Sequence, residues 1–220
     1  MTAPVAAIVP LFNGRRFIRE AIASIEAQQP PPREIVVVDD GSSDDGAALL
    51  VGIAGLRVIR QENRGEAAAR NRGIRESQAP FIAFLDQDDL WQPDKLAIQL
   101  AVLRADPSVD IVHGQHRLFA EEGADWFRRD LLDRSLKARL PGTLLVRRTA
   151  FERVGLYRED LKLGSDVDWL WRAGEASLRF HGLEQEVLLR RVHAGNASRD
   201  MAGFADGLLT AARASLKRRC

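Results

Sequence analysis

Apolar and polar residues alternate in blocks along the first half of this chain, and the period of the alternation changes from block to block. Residues 5–10 (VAAIVP) form a short apolar run closed by proline, the pattern of a buried strand. Residues 16–28 place Ile18, Ile22 and Ile25 at helical spacing, which predicts an amphipathic helix stopped by Pro30, Pro31 and Pro32. A β-branched strand is expected over 34–38, a short helix over 44–52, a third strand over 56–60, a helix over 66–77 and a fourth strand over 81–85. Pro93 suits the first turn of the helix that follows, whose Leu96, Leu100 and Leu103 share one face.

Strands that alternate with helices imply βαβ units, hence an α/β chain with a mostly parallel sheet sandwiched by helices. The strands 34–38 and 81–85 lack polar alternation, as strands covered on both faces do. In such sheets ligands bind outside the carboxyl ends of the strands. The second half is less regular. It predicts a strand over 110–118, an apolar stretch over 143–146, a short helix over 149–154, a helix over 166–173, a strand over 186–192 and a helix with a basic end over 200–219. Residues 120–140 are charged around Trp126 and Phe127 and predict no regular element. No internal repeat, linker or domain boundary interrupts residues 1–220.

Composition narrows the picture only slightly. A hydrophobic fraction of 45% and a charged fraction of 29% are those of a globular chain, and a net charge of +1 gives no global pointer to nucleic acid. The one cysteine, Cys220, excludes a disulfide framework within the chain. The start carries no signal-peptide pattern, and no apolar run approaches the roughly 20 residues that span a bilayer. The expected location is cytoplasmic.

The acids at the strand ends carry the chemistry. "FLDQDDLW" crowds Asp86, Asp88 and Asp89 directly after an apolar run, where like charges repel unless something positive sits among them. Hard divalent cations prefer such oxygen donors together with substrate phosphates. An acidic helix N-terminus explains one or two of these acids, and three only poorly. In "VVVDDGSSDDG" a carboxylate of Asp39 or Asp40 could accept from a base N–H or a ribose hydroxyl; capping of a strand-to-helix turn is the alternative. Calcium-loop, GxGxxG and GxxxxGK[ST] patterns are absent. "QENRGEAAARNRGI" sets Arg64, Arg70 and Arg72 near a helix start, where they could meet phosphate or base; a solvated face is the plainer reading for Arg72 and Arg75. "GSDVDWLWR" puts Asp166 near a helix N-terminus, as a general base or simply a cap, and only one of Trp169 and Trp171 can face the core. "RRVHAGNAS" puts His193 directly after a strand, flanked by Arg191 and small residues, suited to a loop closing on a ligand or to a structural role.

Taken in order, "AAIVPLFNG", "EIVVVDDGSSDDG", "ENRGEAAARNRGI", "FLDQDDLWQPDKL", "GTLLVRRTAFERVGLY" and "GSDVDWLWRAG" resemble glycosyltransferase family 2, the inverting nucleotide-sugar transferases of the GT-A fold. The resemblance runs over roughly residues 5–195 and implies a single GT-A-like unit over 1–220. It has a nucleotide-binding half over 1–110, an acceptor and catalytic half over 111–199, and a C-terminal helix over 200–220. It implies that Pro10 and Phe12 lie beside the nucleotide pocket, that Asp40 contacts uracil or ribose, and that Arg70 lies near the base. Asp86 and Asp88 form the D-x-D element, Asp86 toward ribose and Asp88 toward a Mn2+ or Mg2+ ion, with Asp89 as a further possible ligand. Asp166 is implied as the catalytic base, His193 as a group joining the metal or diphosphate, and Arg191 as a substrate contact.

The implied reaction passes one sugar from a nucleoside-diphosphate donor to a glycan, lipid-linked or other hydroxyl acceptor, with inversion. The QxxRW element of processive synthases is absent, which favours single-sugar transfer. "FLDQDDL" also imitates the D-x-D nucleophile element of haloacid-dehalogenase-type phosphohydrolases, although Leu90 stands where that element usually carries Thr or Val. A non-catalytic nucleotide-sugar-binding domain is the other alternative. In the last helix Phe204, Leu208, Leu209, Ala212 and Leu216, followed by Lys217, Arg218 and Arg219, could form a stripe for peripheral contact with the inner membrane face; a solvated or dimer-packing helix is the simpler reading.

Overall fold

The computed structural model describes residues 1–122, 124, 127–196 and 199–219; Trp126, Cys220 and the side chain of Arg219 lie outside this description. The chain opens with β1 (Ala3–Leu11), α1 (Ile18–Glu26), β2 (Pro32–Asp39), β3 (Leu56–Arg60), α2 (Glu66–Glu76) and β4 (Phe81–Phe84). β1 is buried throughout except at Pro4, and its two faces meet different layers. Val5, Ala7, Val9 and Leu11 pack with Ile18, Ile22 and Ile25 of α1 and with Leu96, Leu100 and Leu103 of α3 (Lys95–Ala105). Ala6 and Ile8 face the other way, toward Ile74 of α2 and the Phe151–Trp169 cluster. Covering on both faces leaves no position free for a polar residue, which is why these strands read as unbroken apolar runs.

β3, β2, β1 and β4 pair in parallel in that order. Leu11 lies opposite Asp39, and Asp39 opposite Arg60, so three strands end level. The Leu85 amide extends the β1–β4 ladder by donating to Ile8 O at 3.1 Å. Phe12, Asp40, Gln61 and Asp86 therefore leave the sheet along one rim.

Beyond β4 the sheet becomes mixed. β8 (Leu144–Arg147) runs antiparallel to both β4 and β6 (Ile111–Ala120), and β7 (Ser135–Leu136) adds to β6. The last strand, β9 (Phe180–Val192), lies parallel to β6 and shifts register around Gln115. Its far side pairs with β5 (Leu90–Trp91), Leu90 opposite Leu189 and Trp91 opposite Leu188. This pairing brings the residues just after β9 to those just before β5. The parallel part expected from the sequence is the first four strands, and half of all the pairings among the described residues are antiparallel.

α4 (Arg148–Val154), α5 (Ser165–Glu175) and α6 (Met201–Arg219) cover the remaining face. Trp169 is the core tryptophan of α5; its Nε1 donates to Gly155 O at 2.8 Å, while Trp171 is exposed. α6 differs from its expected apolar stripe. Its fully packed positions are Gly207, Ala211 and Ser215, whereas Leu209 and Leu216 are exposed and Phe204, Leu208 and Ala212 are half-buried. Close helix contact selects small side chains, so the largest apolar residues do not mark the buried face here.

Lys95 is fully buried without a carboxylate beside it. Its Nζ donates to Gln99 Oε1 at 2.6 Å and Leu144 O at 3.1 Å and lies 5.1 Å from the Trp91 ring centre. Burial holds its pKa well below the ordinary lysine value.

Candidate active site

The rim is built by side chains that bond the main chain of neighbouring loops. Asn13, in the left-handed region, accepts through Oδ1 from the Ser43 amide at 2.8 Å, and its own amide donates to Ser42 Oγ at 3.0 Å. Gln87 brackets Phe12, accepting from its amide at 2.8 Å and donating to its carbonyl at 3.0 Å. Phe12 is about half exposed at this edge, and Pro10 is buried as the penultimate residue of β1. Asp40 organises the β3–α2 loop. It accepts from Gln61 Nε2 at 2.7 Å and from the Arg64 and Gly65 amides at 2.9 and 2.8 Å. An open depression of about 580 Å³, lined by Gly41, Arg60, Gln61, Glu62 and Asn63, adjoins it.

Arg70 is the centre of the next group. It is 3% exposed, and one guanidinium nitrogen donates to Glu66 Oε1 at 2.5 Å and Asp86 Oδ1 at 2.7 Å. Its Cζ lies 5.9 Å from the Tyr157 ring centre, and its Nε has no hydrogen-bond partner among the described residues. Burial works against the charge of Arg70, but Glu66 and Asp86 outweigh it and hold the pKa above the ordinary arginine value. Glu66 is pushed up to about 7, chiefly by desolvation, against the attraction of Arg70 and with the repulsion of Asp86 and Asp166. Asp166 thus stands in electrostatic range of both Glu66 and Arg70, in the first turn of α5. Its own side chain has no hydrogen-bond partner among the described residues.

The metal-ligand set expected from the sequence separates into two parts. Asp88 Oδ2 meets His193 Nε2 at 2.8 Å and Asn196 Nδ2 at 3.3 Å. The Gly195 amide donates to His193 Nδ1 at 3.1 Å, which leaves the ring proton on Nε2, facing Asp88. Asp89 is buried and turned to the Arg191 amide at 2.8 Å, and its pKa is raised by burial and by its neighbours Asp88 and Asp86. Among the described residues no three His, Cys, Asp or Glu side chains form a metal-holding group.

Arg191 sits beneath the rim. Its guanidinium, 5% exposed, lies between Phe17 and Phe119 with its Cζ 4.6 and 4.7 Å from their ring centres. It donates to Glu20 at 2.5 Å, to Glu121, and to Asp88 O at 2.8 Å. Those carboxylates and rings enclose it and clamp it to the neighbouring loops.

With this geometry in place, the model of a known family, described as glycosyl transferase family 2, matches residues 6–158. The chain belongs to glycosyl transferase family 2. The uncharacterized glycosyltransferase RP339 of Rickettsia prowazekii is 29% identical over 211 residues, a match covering 88% of this chain and 65% of that protein. The chain therefore spans less than two thirds of that relative's length. Among solved structures, S. aureus TarS 1-349 in complex with UDP-GlcNAc superposes with a TM-score of 0.76 at 19% identity, over 96% of this chain and 66% of that one. Mannosyltransferase PcManGT of Pyrobaculum calidifontis, in complex with GDP-Man and Mn2+, superposes with a TM-score of 0.76 at 22% identity, over 99% of this chain and 65% of that one. These neighbours show the GT-A fold. Membership decides the D-x-D ambiguity in favour of the transferase family.

Three side chains of this family 2 site escaped the sequence reading. Gln87 sits inside the D-x-D element and is the brace of Phe12. Glu66 reads as an ordinary first-turn acid, yet it shares Arg70 with Asp86. Asn196 accepts from the His193 amide at 2.6 Å and donates to Asp88, closing the loop after β9. Only its place three residues after His193 hinted at a turn.

Proposed function

We propose that this family 2 chain binds a nucleoside-diphosphate sugar at the rim, UDP-linked in the first instance, and transfers one sugar with inversion to an acceptor hydroxyl. The observation that carries the reading is the group in which Arg70 holds Asp86 at 2.7 Å with Asp166 in electrostatic range. Asp40 and Asp86 accept hydrogen bonds from base and ribose, beside Phe12. Asp166 takes the proton of the acceptor hydroxyl as its oxygen bonds to the anomeric carbon, and the bond from that carbon to the diphosphate breaks on the opposite side.

An open carboxylate oxygen supports a divalent cation at Asp88. Asp88 Oδ1 has no partner among the described residues, and the side chain is 19% exposed, an available oxygen of the kind Mn2+ and Mg2+ prefer. Such an ion, held by Asp88 with His193 beside it and diphosphate oxygens completing its shell, would supply positive charge for the departing diphosphate. The neighbour solved with GDP-Man and Mn2+ supports this choice.

We assign donor binding to residues 1–110 and the acceptor side to residues 111–199, where a depression of about 370 Å³ is lined by Glu121, Glu122, Phe127 and Arg129 among others. Cell-surface glycans or glycolipids are the proposed acceptors. The exposed Met201, Leu209 and Leu216 of α6, beside Arg213 and Lys217, support peripheral contact with anionic lipid, and no described helix is long and apolar enough to cross a membrane. A second copy of the chain is the competing occupant. Pelleting with acidic liposomes at low salt supports lipid; concentration-dependent dimerisation without pelleting supports the copy.

The deciding experiment incubates the chain with UDP-GlcNAc or GDP-mannose and Mn2+, measures release of the nucleoside diphosphate, and reads the first-formed anomer by NMR. Inversion is expected. Asp166→Asn should keep donor binding and lose release. Asp88→Ala should weaken Mn2+-dependent diphosphate binding, and affinity unchanged by EDTA would remove the cation. Binding without release from either donor would make the chain a nucleotide-sugar-binding domain.

A further inference from the structure

Asp166 has no side-chain hydrogen bond of its own among the described residues, so the backbone of the first turn of α5 sets where its carboxylate points. That turn is preceded by Leu163 and Gly164. Gly164 is in the left-handed region (φ 79°), and its carbonyl accepts the first helical bond from the Asp168 amide at 3.0 Å. The backbone of α6 lies directly on it. A Cβ on Gly207 would fall well inside contact distance of Leu163 O, and a Cβ on Gly164 would meet Gly207 C at 3.4 Å. No side chain separates the two segments.

The same helix holds the other end of α5. Ser215 Oγ donates to Glu175 Oε1 at 2.5 Å, and Arg218 Nε donates to Glu175 Oε2 at 2.6 Å. Arg218 also reaches the interior of α5. Its NH1 stands 3.8 Å from Asp168 Oδ1, a fully buried oxygen with no hydrogen bond among the described residues. Asp168 Oδ2 accepts from Arg172 Nε at 2.7 Å, and Arg172 in turn donates to the carbonyls of Val154 and Leu156. α6 thus touches α5 at the Leu163–Gly164 segment that leads into it, at Asp168 in its first turn and at its last residue, Glu175. α5 is also the chief element against which α6 packs.

We infer that α6 is a positioning element for the candidate base: Gly207 against the Leu163–Gly164 turn, and Arg218 against Asp168 and Glu175, fix the direction in which α5 presents Asp166. The inference rests on the reading of Asp166 as the base. Gly207 and Arg218 are positioning residues, far along the chain from the donor-binding aspartates. Disturbing them should therefore separate turnover from donor affinity. A displacement of about 1 Å in a reacting group can cost on the order of a hundredfold in rate.

The test compares Gly207→Ala, Arg218→Gln, Asp166→Asn and the outer-face control Ala205→Ser in the full chain. Nucleoside-diphosphate release from UDP-GlcNAc or GDP-mannose with Mn2+ is measured beside the Kd for the same donor. Gly207→Ala is expected to slow release by roughly tenfold or more and Arg218→Gln by about threefold, with Kd held within about twofold and Ala205→Ser unchanged. If Gly207→Ala does not fold, Arg218→Gln carries the comparison, with hydrogen exchange over 163–168 as the second readout; faster exchange there is expected. Full release from both variants while Asp166→Asn is inactive overturns the positioning role and leaves the base in place. Loss of affinity in step with rate, or equal loss in Ala205→Ser, also overturns it. Undiminished release from Asp166→Asn removes the base itself, and the inference with it.

Discussion

Gln87 forms a closed pair with the main chain of Phe12, one bond in each direction, at 2.8 and 3.0 Å. The pair ties the loop after β1 to the D-x-D loop after β4. Gly14 belongs to the same joint, because a Cβ there would collide with the Gln87 amide. Gln87→Ala leaves both Phe12 groups to water at a cost of about 1 kcal/mol. Affinity for UDP with Mn2+ should fall more than that small loss of stability suggests, because the rim loses its register. Equal affinity by calorimetry for the variant and the parent chain would refute the brace.

Glu66 supplies a pH signature. Its carboxyl is raised from 4.5 to about 7 in the folded chain, mainly by desolvation. The folded state then binds more protons than the unfolded state between those values, so stability falls as pH rises through them. The loss is complete above about pH 7 and absent below about 4.5. Glu66→Gln should remove this slope. Thermal melts of the two proteins from pH 5 to 8 should converge at the acid end, with the variant ahead at the alkaline end.

Lys95 carries the opposite sign. Burial lowers its pKa, so the unfolded chain binds a proton that the folded chain gives up. Stability should climb as pH rises toward the ordinary lysine value of 10.5. Lys95→Met should flatten that climb, although Gln99 Oε1 and Leu144 O each lose a donor. Parallel melting curves for variant and parent between pH 7 and 10 would count against a buried amine.

Arg191 tests the clamp. Arg191→Met leaves Glu20 without its cation, leaves Glu121 with Arg16 alone and frees Asp88 O. A loss of about 2 kcal/mol is expected, less than the roughly 3–5 kcal/mol of a fully buried pair, because Glu20 remains open to water. Urea denaturation measures it. Wild-type stability combined with lost UDP affinity would return Arg191 to the substrate.

Much of the parallel half was legible because two-sided burial writes itself into the chain as runs such as VAAIVP and FIAFL. The acids that follow those runs mark the rim for the same reason, since the strand ends are where polar chemistry can begin. Other features depended on pairings between distant residues. β5 is only Leu90 and Trp91, and nothing local distinguishes it until β9 lies alongside. The first half of β9 carries His181, Glu184 and Gln185, which hid six residues of strand from a periodicity reading. Asp88 and Asp89 are adjacent and chemically alike. What separates them is the Arg191 amide, supplied from about a hundred residues away in sequence, which bonds Asp89.

The seating of β9 between β6 and β5 bears on how the polypeptide can be divided. The stretch recognised by the family profile closes at residue 158, before this strand begins. A fragment cut there would leave the backbone donors and acceptors along one flank of β6 bare, and Leu90 and Trp91 without a ladder. Such an open edge recruits whatever extended chain it meets, so the shortened product should clump where the longer one stays dispersed.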